Sequence, residues 1–301
     1  MGGFTNALKF ASLTTIGAMA ALALGSQALA AEDGPPGSSG DAVAKFRQLG
    51  TALPTPNIYR NASGAPGPAY WQQQADYTIN ATLDEDKRHI TAESDITYTN
   101  NSPDNLNYIW LALDQNRFKN GSLEDMSATA SAAGSRRGDG SGTTDQFSFS
   151  ALRKFQAKED RSYGFDFKAI MDGAGNALPY VINDSMMRID LPEPLASGDS
   201  IDIQVDWEHN ILDEVSIGGR GGYEYFEEDD NYIFGMAQWF PRLAAYTDYT
   251  GWQNKQFLGR GEFTLEFGDY EVNLTVPSDH IVAATGELMN PRDVLSAKQR
   301  K

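Results

Sequence analysis

His89, His209 and His280 are the only imidazoles of this chain, and they stand 120 and 71 positions apart. A zinc site written locally in a sequence brings two imidazoles about one helical turn apart, as in His-Glu-x-x-His. No such pair occurs here. The three therefore read as solvated histidines, two among charged residues at strand ends and one in the turn after Pro277. Cysteine is absent, which removes thiol nucleophiles, thiolate ligands and disulfides together. No Gly-x-Ser-x-Gly elbow is present to expose a nucleophilic serine. Gly218-Gly-Arg-Gly-Gly222 lacks the Lys-Ser/Thr of a phosphate loop and reads as a flexible loop. Glu227-Glu-Asp-Asp-Asn231 offers hard oxygens, but their spacing matches no calcium loop, so a solvated turn is the reading. No residue is assigned a catalytic or metal-ligating role.

What positions the polar groups is a chain that alternates by twos. Ile201, Ile203, Val205 and Trp207 interleave with Asp202, Gln204, Asp206 and Glu208, giving one apolar and one wet face of a strand. Tyr77, Ile79, Ala81 and Leu83 repeat the pattern, as do Ile96 and Tyr98 before the turn Asn100-Asn-Ser-Pro-Asp-Asn105. Residues 106–113 are nearly continuous in apolar character, as in a strand covered on both faces. Met187, Ile189 and Leu191 predict a further strand, closed by Pro192 and by the turn Ser197-Gly-Asp199. Asp172-Gly-Ala-Gly-Asn176 reads as a hairpin-type connection. Phe263, Leu265 and Phe267, then Tyr270, Val272, Leu274 and Val276, alternate on either side of Gly268-Asp269. That step is either a two-residue hairpin or a bulge in one long strand. Closely spaced strands without a sustained helical period after Gly50 predict an all-β sandwich of mostly antiparallel and mixed sheets.

The first thirty residues carry one charge, Lys9, then an apolar run and the small-x-small site Ala28-Leu-Ala30. This is the pattern of a signal peptide cleaved after Ala30 and of a periplasmic or secreted protein. The apolar run is shorter than the ~20 residues a membrane span requires. Residues 31–50 read as a linker and short helix, 51–290 as the β-domain, and 291–301 as the truncated start of a helix with Pro291 in its first turn. The segment 127–144, rich in Ser, Ala, Gly and Thr, reads as a surface loop. A formal net charge of −17 argues against nucleic acid and anionic membrane as partners, because both repel it.

Several runs resemble the opening of bacterial members of the aminopeptidase N family of zinc metallopeptidases (gluzincins). They are Pro66-Gly-Pro-Ala-Tyr-Trp-Gln-Gln-Gln73, Ile96-Thr-Tyr-Thr-Asn-Asn-Ser-Pro103 and Trp110-Leu-Ala-Leu-Asp-Gln-Asn116. The resemblance resumes at Phe234-Gly-Met-Ala-Gln-Trp-Phe-Pro-Arg242, Tyr246-Thr-Asp-Tyr-Thr-Gly-Trp252 and Pro277-Ser-Asp-His-Ile-Val-Ala-Ala-Thr-Gly-Glu287. It implies a saddle-shaped N-terminal β-domain that shapes the substrate site of an exported aminopeptidase. The family's zinc and its His-Glu-x-x-His belong to a downstream catalytic domain, which this chain does not carry. The resemblance thus implies a chain that binds no cofactor itself and is inactive alone, with that catalytic domain and a peptide N-terminus as its partners. Within the β-domain it implies one substrate-binding residue, Gln238, whose amide oxygen accepts a hydrogen bond from the free α-amine. The alternative is a self-sufficient secreted β-sandwich that binds carbohydrate or protein.

Overall fold

A computed structural model describes residues 56–127, 162–259 and 264–300, with a few helical positions between 149 and 157. The leader, the linker with its short helix, and the Ser/Gly-rich segment from 128 onward lie outside the described residues.

The alternating segments form the strands expected of them. β1 (Gln74–Asp84), β2 (His89–Thr99) and β7 (Ser200–Asn210) make an antiparallel ladder at the centre of one sheet. β4 (Asp166–Asp172) pairs antiparallel with β7 on one side, and β13 (Tyr270–Thr275) runs parallel to β1 on the other. The sheet order is β13-β1-β2-β7-β4. A second, antiparallel sheet has the order β10-β3-β6-β5. Its strands are β3 (Leu106–Ala112), β5 (Tyr180–Asn183), β6 (Met186–Leu195) and β10 (Arg242–Leu243). Two ribbons complete the fold: β8 (Gly222–Phe226) with β9 (Asn231–Gly235), and β11 (Tyr246–Thr247) with β12 (Gly251–Trp252).

The core lies where the apolar faces of the two large sheets meet. Ile79, Ile96, Ile203, Val205 and Trp207 from the first join Ile109, Leu111, Met187 and Ile189 from the second in one buried cluster. This is an all-β sandwich. The Trp207 indole donates to Ser94 Oγ at 3.0 Å, so its one polar atom is satisfied inside the core. The turn after β2 is equally complete. Asn100 is fully buried, donates to Asp104 O and Leu195 O, and accepts from Gln73 and Ser102.

Four local features differ from the sequence reading. Pro192 does not close its strand: β6 continues to Leu195, because β5 covers β6 only over Met186–Ile189 and leaves the proline beside an open edge. The connection 172–176 turns back as expected, with Asp172 N donating to Asn176 O, but the chain then crosses into the second sheet. Gly268-Asp269 is neither hairpin nor bulge. Phe267 pairs parallel with Gln74 and Tyr270 with Tyr77, three residues on in both chains, so one run passes along β1 without an extra residue. Gly268 is required there because a Cβ would collide with Ala75 O. Finally, the helix expected over 291–301 is one turn, Pro291–Val294, ended by Leu295 in extended conformation.

Candidate functional site: the turn at Gln238

The chain leaves β9 at Gly235, turns through Met236, Ala237 and Gln238, and enters β10 at Arg242. Gln238 adopts φ 54°, one of four non-glycine residues with positive φ among the described residues. A side chain in the left-handed region costs about 1–2 kcal/mol, so surrounding contacts must impose it. They are visible. Gln115 Nε2 donates to Gln238 O at 3.0 Å and to Ala237 O at 3.3 Å. His209 Nε2 lies 3.0 Å from Trp239 O. Trp239 packs against Trp207, with ring centroids 5.7 Å apart, and Phe240 meets the edge of Tyr77 at 5.8 Å. Arg242 pairs with the buried carboxylate of Asp114, and Leu243 N donates to Tyr77 Oη at 2.8 Å. Gly221 holds the ribbon close from below. A Cβ there would stand 2.5 Å from Gly235 O and 2.9 Å from Ala237 N. The 218–222 run is therefore a close-packing device, and its reading as a merely flexible loop is corrected.

The Gln238 side chain itself is half-buried and makes no hydrogen bond to any described residue. Its backbone is held from several sides while its amide stays available. A primary amide in this state can accept from an ammonium or hydroxyl and donate to a carbonyl.

The electrostatics around the turn are set by burial. Burial pushes the His209 imidazole down to about 4, against the two carbonyl oxygens that face it. Burial pushes the Asp114 carboxyl up, and Arg242 pulls it back. Burial also raises the Tyr77 phenol, despite the Leu243 N–H that it accepts. At neutral pH, His209 is a neutral imidazole.

The three histidines are not brought together. His209 is a core residue, 2% exposed, stacked on Trp207 at 5.7 Å and edge-on to Phe165 at 5.3 Å. Its reading as a solvated strand-end histidine is corrected. The alternation Ile203-Val205-Trp207 places residue 209 on the same inward face, a signal that the charged neighbours concealed. His89 lies at the start of β2, with Nδ1 3.0 Å from Asn210 Oδ1. His280 meets Asp279 Oδ1 at 3.2 Å and Glu85 Oε2 at 3.9 Å. Glu85, Asp279 and His280 are the one group among the described residues that could converge on a metal. Asp279 is mostly exposed and its carboxylate contacts His280 Nδ1, so the group brings one imidazole and two carboxylates together. Among the described residues no two imidazoles converge, so the two- and three-histidine ligand sets common in catalytic zinc sites are not assembled by them.

Gln115, Asp114 and His209 are the positions that sequence reasoning missed around Gln238. Asp114 and Gln115 lie in the 3-10 turn Asp114–Phe118, inside a run singled out for its resemblance and not for these roles. The small cleft beside Asp114, lined by Ser185, Met186, Lys255 and Phe257, has room for about one water and does not hold a peptide. No helix among the described residues is long and apolar enough to cross a membrane.

No protein-family model matches this chain, and no curated protein matches it. Its neighbours among solved structures are M1 zinc metallopeptidases. One, from Deinococcus radiodurans and bound to a Tyr-Ser-Ala substrate, aligns with TM-score 0.36 and 13% identity over 75% of this chain. Another structure of an M1 zinc metallopeptidase from the same organism aligns with TM-score 0.35 and 13% identity over 74% of this chain. A two-domain M1 zinc metallopeptidase bound to L-tryptophan aligns with TM-score 0.33 and 12% identity over 75% of this chain. The chain spans 37%, 36% and 39% of these proteins, respectively.

Proposed function

We propose that this chain is the substrate-reading β-domain of an exported aminopeptidase-type zinc metallopeptidase, with Gln238 accepting a hydrogen bond from the free α-ammonium of a peptide. The observation that carries this reading is the Gln238 turn. A non-glycine residue is kept at φ 54°, three successive carbonyls are engaged by core side chains, and the side-chain amide is left without a partner among the described residues. A core that imposes backbone strain and leaves the polar group available suits recognition better than scaffold. The motif order quoted above supplies the family. Cleavage is assigned to a separate zinc-bearing domain of the same enzyme, since the imidazoles here do not converge. The apolar stretch with Phe267 at 74% and Met289 at 85% exposure is the surface on which such a domain would rest. Export, with cleavage after Ala30, belongs to the same proposal.

The test is a titration of the isotope-labelled protein with a short peptide carrying a free N-terminus, and with its acetylated twin. The Gln238 side-chain amide should shift with the first and not with the second. Gln238→Ala should weaken binding about ten- to a hundred-fold, since a hydrogen bond to a charged group is worth roughly 1.5–3 kcal/mol. Equal response to both peptides would end the reading. The ribbon β8–β9 presents Tyr225 and Phe226 to solvent, which favours a carbohydrate-binding module as the second reading. Shifts at those rings on adding an oligosaccharide, with Gln238 silent, would select it.

A further inference from the structure

We infer that Gln115 and His209 are positioning residues that together hold the Gln238 backbone in the left-handed conformation from which its side-chain amide projects, His209 acting as the Nε2–H tautomer. This deepens, and rests on, the reading of Gln238 as the peptide-binding group.

Three consecutive carbonyls, of Ala237, Gln238 and Trp239, point into the protein. A buried carbonyl without a donor is costly, so whatever supplies these donors decides where the turn sits. Gln115 is 7% exposed and supplies a single NH₂ to the first two. His209 comes from a different element, the end of β7, and reaches the third. The two side chains therefore bracket Gln238, one at its own carbonyl and one at the next. Gln238 cannot relax toward ordinary negative φ without withdrawing at least one carbonyl from its donor.

The tautomer follows from the surroundings of the ring. Nδ1 faces Asn210 O at 3.1 Å and Nε2 faces Trp239 O at 3.0 Å. A neutral imidazole carries one N–H and can serve only one of them. Trp239 O lies outside any strand, and of the described donors only His209 reaches it. A proton on Nε2 ties the end of β7 to the Gln238 turn, whereas one on Nδ1 would serve only the next residue of the same strand, so the inferred tautomer is the one that positions the turn.

The test uses the same labelled chain, with Gln115→Met and His209→Phe, which keep volume and remove the donors. The three-bond coupling between the amide and α protons of Gln238 reports φ directly. It should leave its left-handed value in each variant, and the wild-type imidazole nitrogens should show protonated Nε2. For the peptide with a free N-terminus, Gln115→Met should lose about as much affinity as Gln238→Ala, roughly ten-fold or more. The double variant should lose little beyond either single one, because both remove the same interaction. An unchanged Gln238 coupling in both variants, or a wild-type spectrum protonated at Nδ1, overturns the inference. So do additive losses that appear equally with the acetylated peptide, since general loosening produces those. The imidazole spectrum needs only the wild type, so it decides even if a variant fails to fold. If the wild type ignores the difference between the two peptides, the peptide reading falls, while the coupling still decides the positioning claim.

Discussion

Gln238 separates two kinds of cost that are usually confounded. Its left-handed backbone costs about 1–2 kcal/mol, which glycine would not incur, whereas glycine loses about 0.5–1 kcal/mol through chain entropy. Gln238→Gly should therefore leave stability unchanged or raise it by up to about 1.5 kcal/mol while abolishing the amide's contribution to peptide binding. Thermal unfolding beside the titration checks this, and a large stability loss would mark the side chain as structural. Glu266 makes a second prediction. Burial raises its carboxyl to about 7 from an ordinary 4.5, and the Tyr246 N–H that it accepts only partly offsets this. A folded-state value above the unfolded one means that its contribution is fully present below pH 4.5 and is lost as pH rises through 7. Relative to wild type, Glu266→Gln should therefore gain stability between pH 4.5 and 7, by at most about 1.4 kcal/mol per pH unit, and level off above. His209 works in the opposite sense. Its depressed value means that acidification from 6.5 toward 4 costs stability, so both groups must be varied to read either cleanly.

The ribbon β8–β9 and the strand β13 each depend on one glycine whose missing side chain admits another backbone. Gly221→Ala sets a methyl group 2.5 Å from Gly235 O, on the inner side of the Gln238 turn. Backbone on both sides cannot swing aside as a flexible side chain would. A loss of about 1–3 kcal/mol is expected, with amide exchange accelerated in 231–238 before it is in β1 or β2. Uniform exchange across the chain would show that the ribbon is not a separate unit. Sequence reading put Gly221 in a flexible loop and left Gly268 as a hairpin or a bulge, since a glycine signals a turn, a bulge or a close approach alike. At 268 the approach is to Ala75, almost two hundred residues earlier in the chain, and no local pattern contains that information.

Among the described residues the molecule is a sandwich with one continuous apolar core between its two large sheets and an edge strand, β13, that stays exposed along its length. Tyr270, Val272 and Leu274 remain exposed on that strand, and Phe267, Ile281 and Met289 extend the apolar surface along the chain. Contiguous apolar patches beyond a few hundred Å² are uncommon on soluble monomers. The purified protein should therefore show a β-rich circular dichroism spectrum and self-associate as concentration rises, measured by light scattering. Substituting Phe267 and Ile281 by Ser should reduce association without changing the spectrum. A monomer at high concentration, with both side chains intact, would count against this face as a docking surface.

The β-sandwich was legible because strand alternation is a local property. Ile203, Val205 and Trp207 announce an inward face whatever they pack against, and the turn at 100–105 carries its own chemistry. The resemblance in the run ending at Arg242 drew attention to Gln238 for the same reason, since a motif is read along the chain. What holds Gln238 is not local. Gln115 lies 123 positions away, and His209 reaches Trp239 across 30 positions from the end of another strand. The Asp114–Arg242 pair spans 128. Hydrogen bonds of this kind are fixed by where two sheets and a ribbon come to rest against one another. Residues such as Asn, Gln and His have the same appearance in a sequence whether they are solvated or buried. Alternation along β7 already assigned His209 to the inward face, whereas packing alone made the amide of Gln115 the anchor of a distant turn.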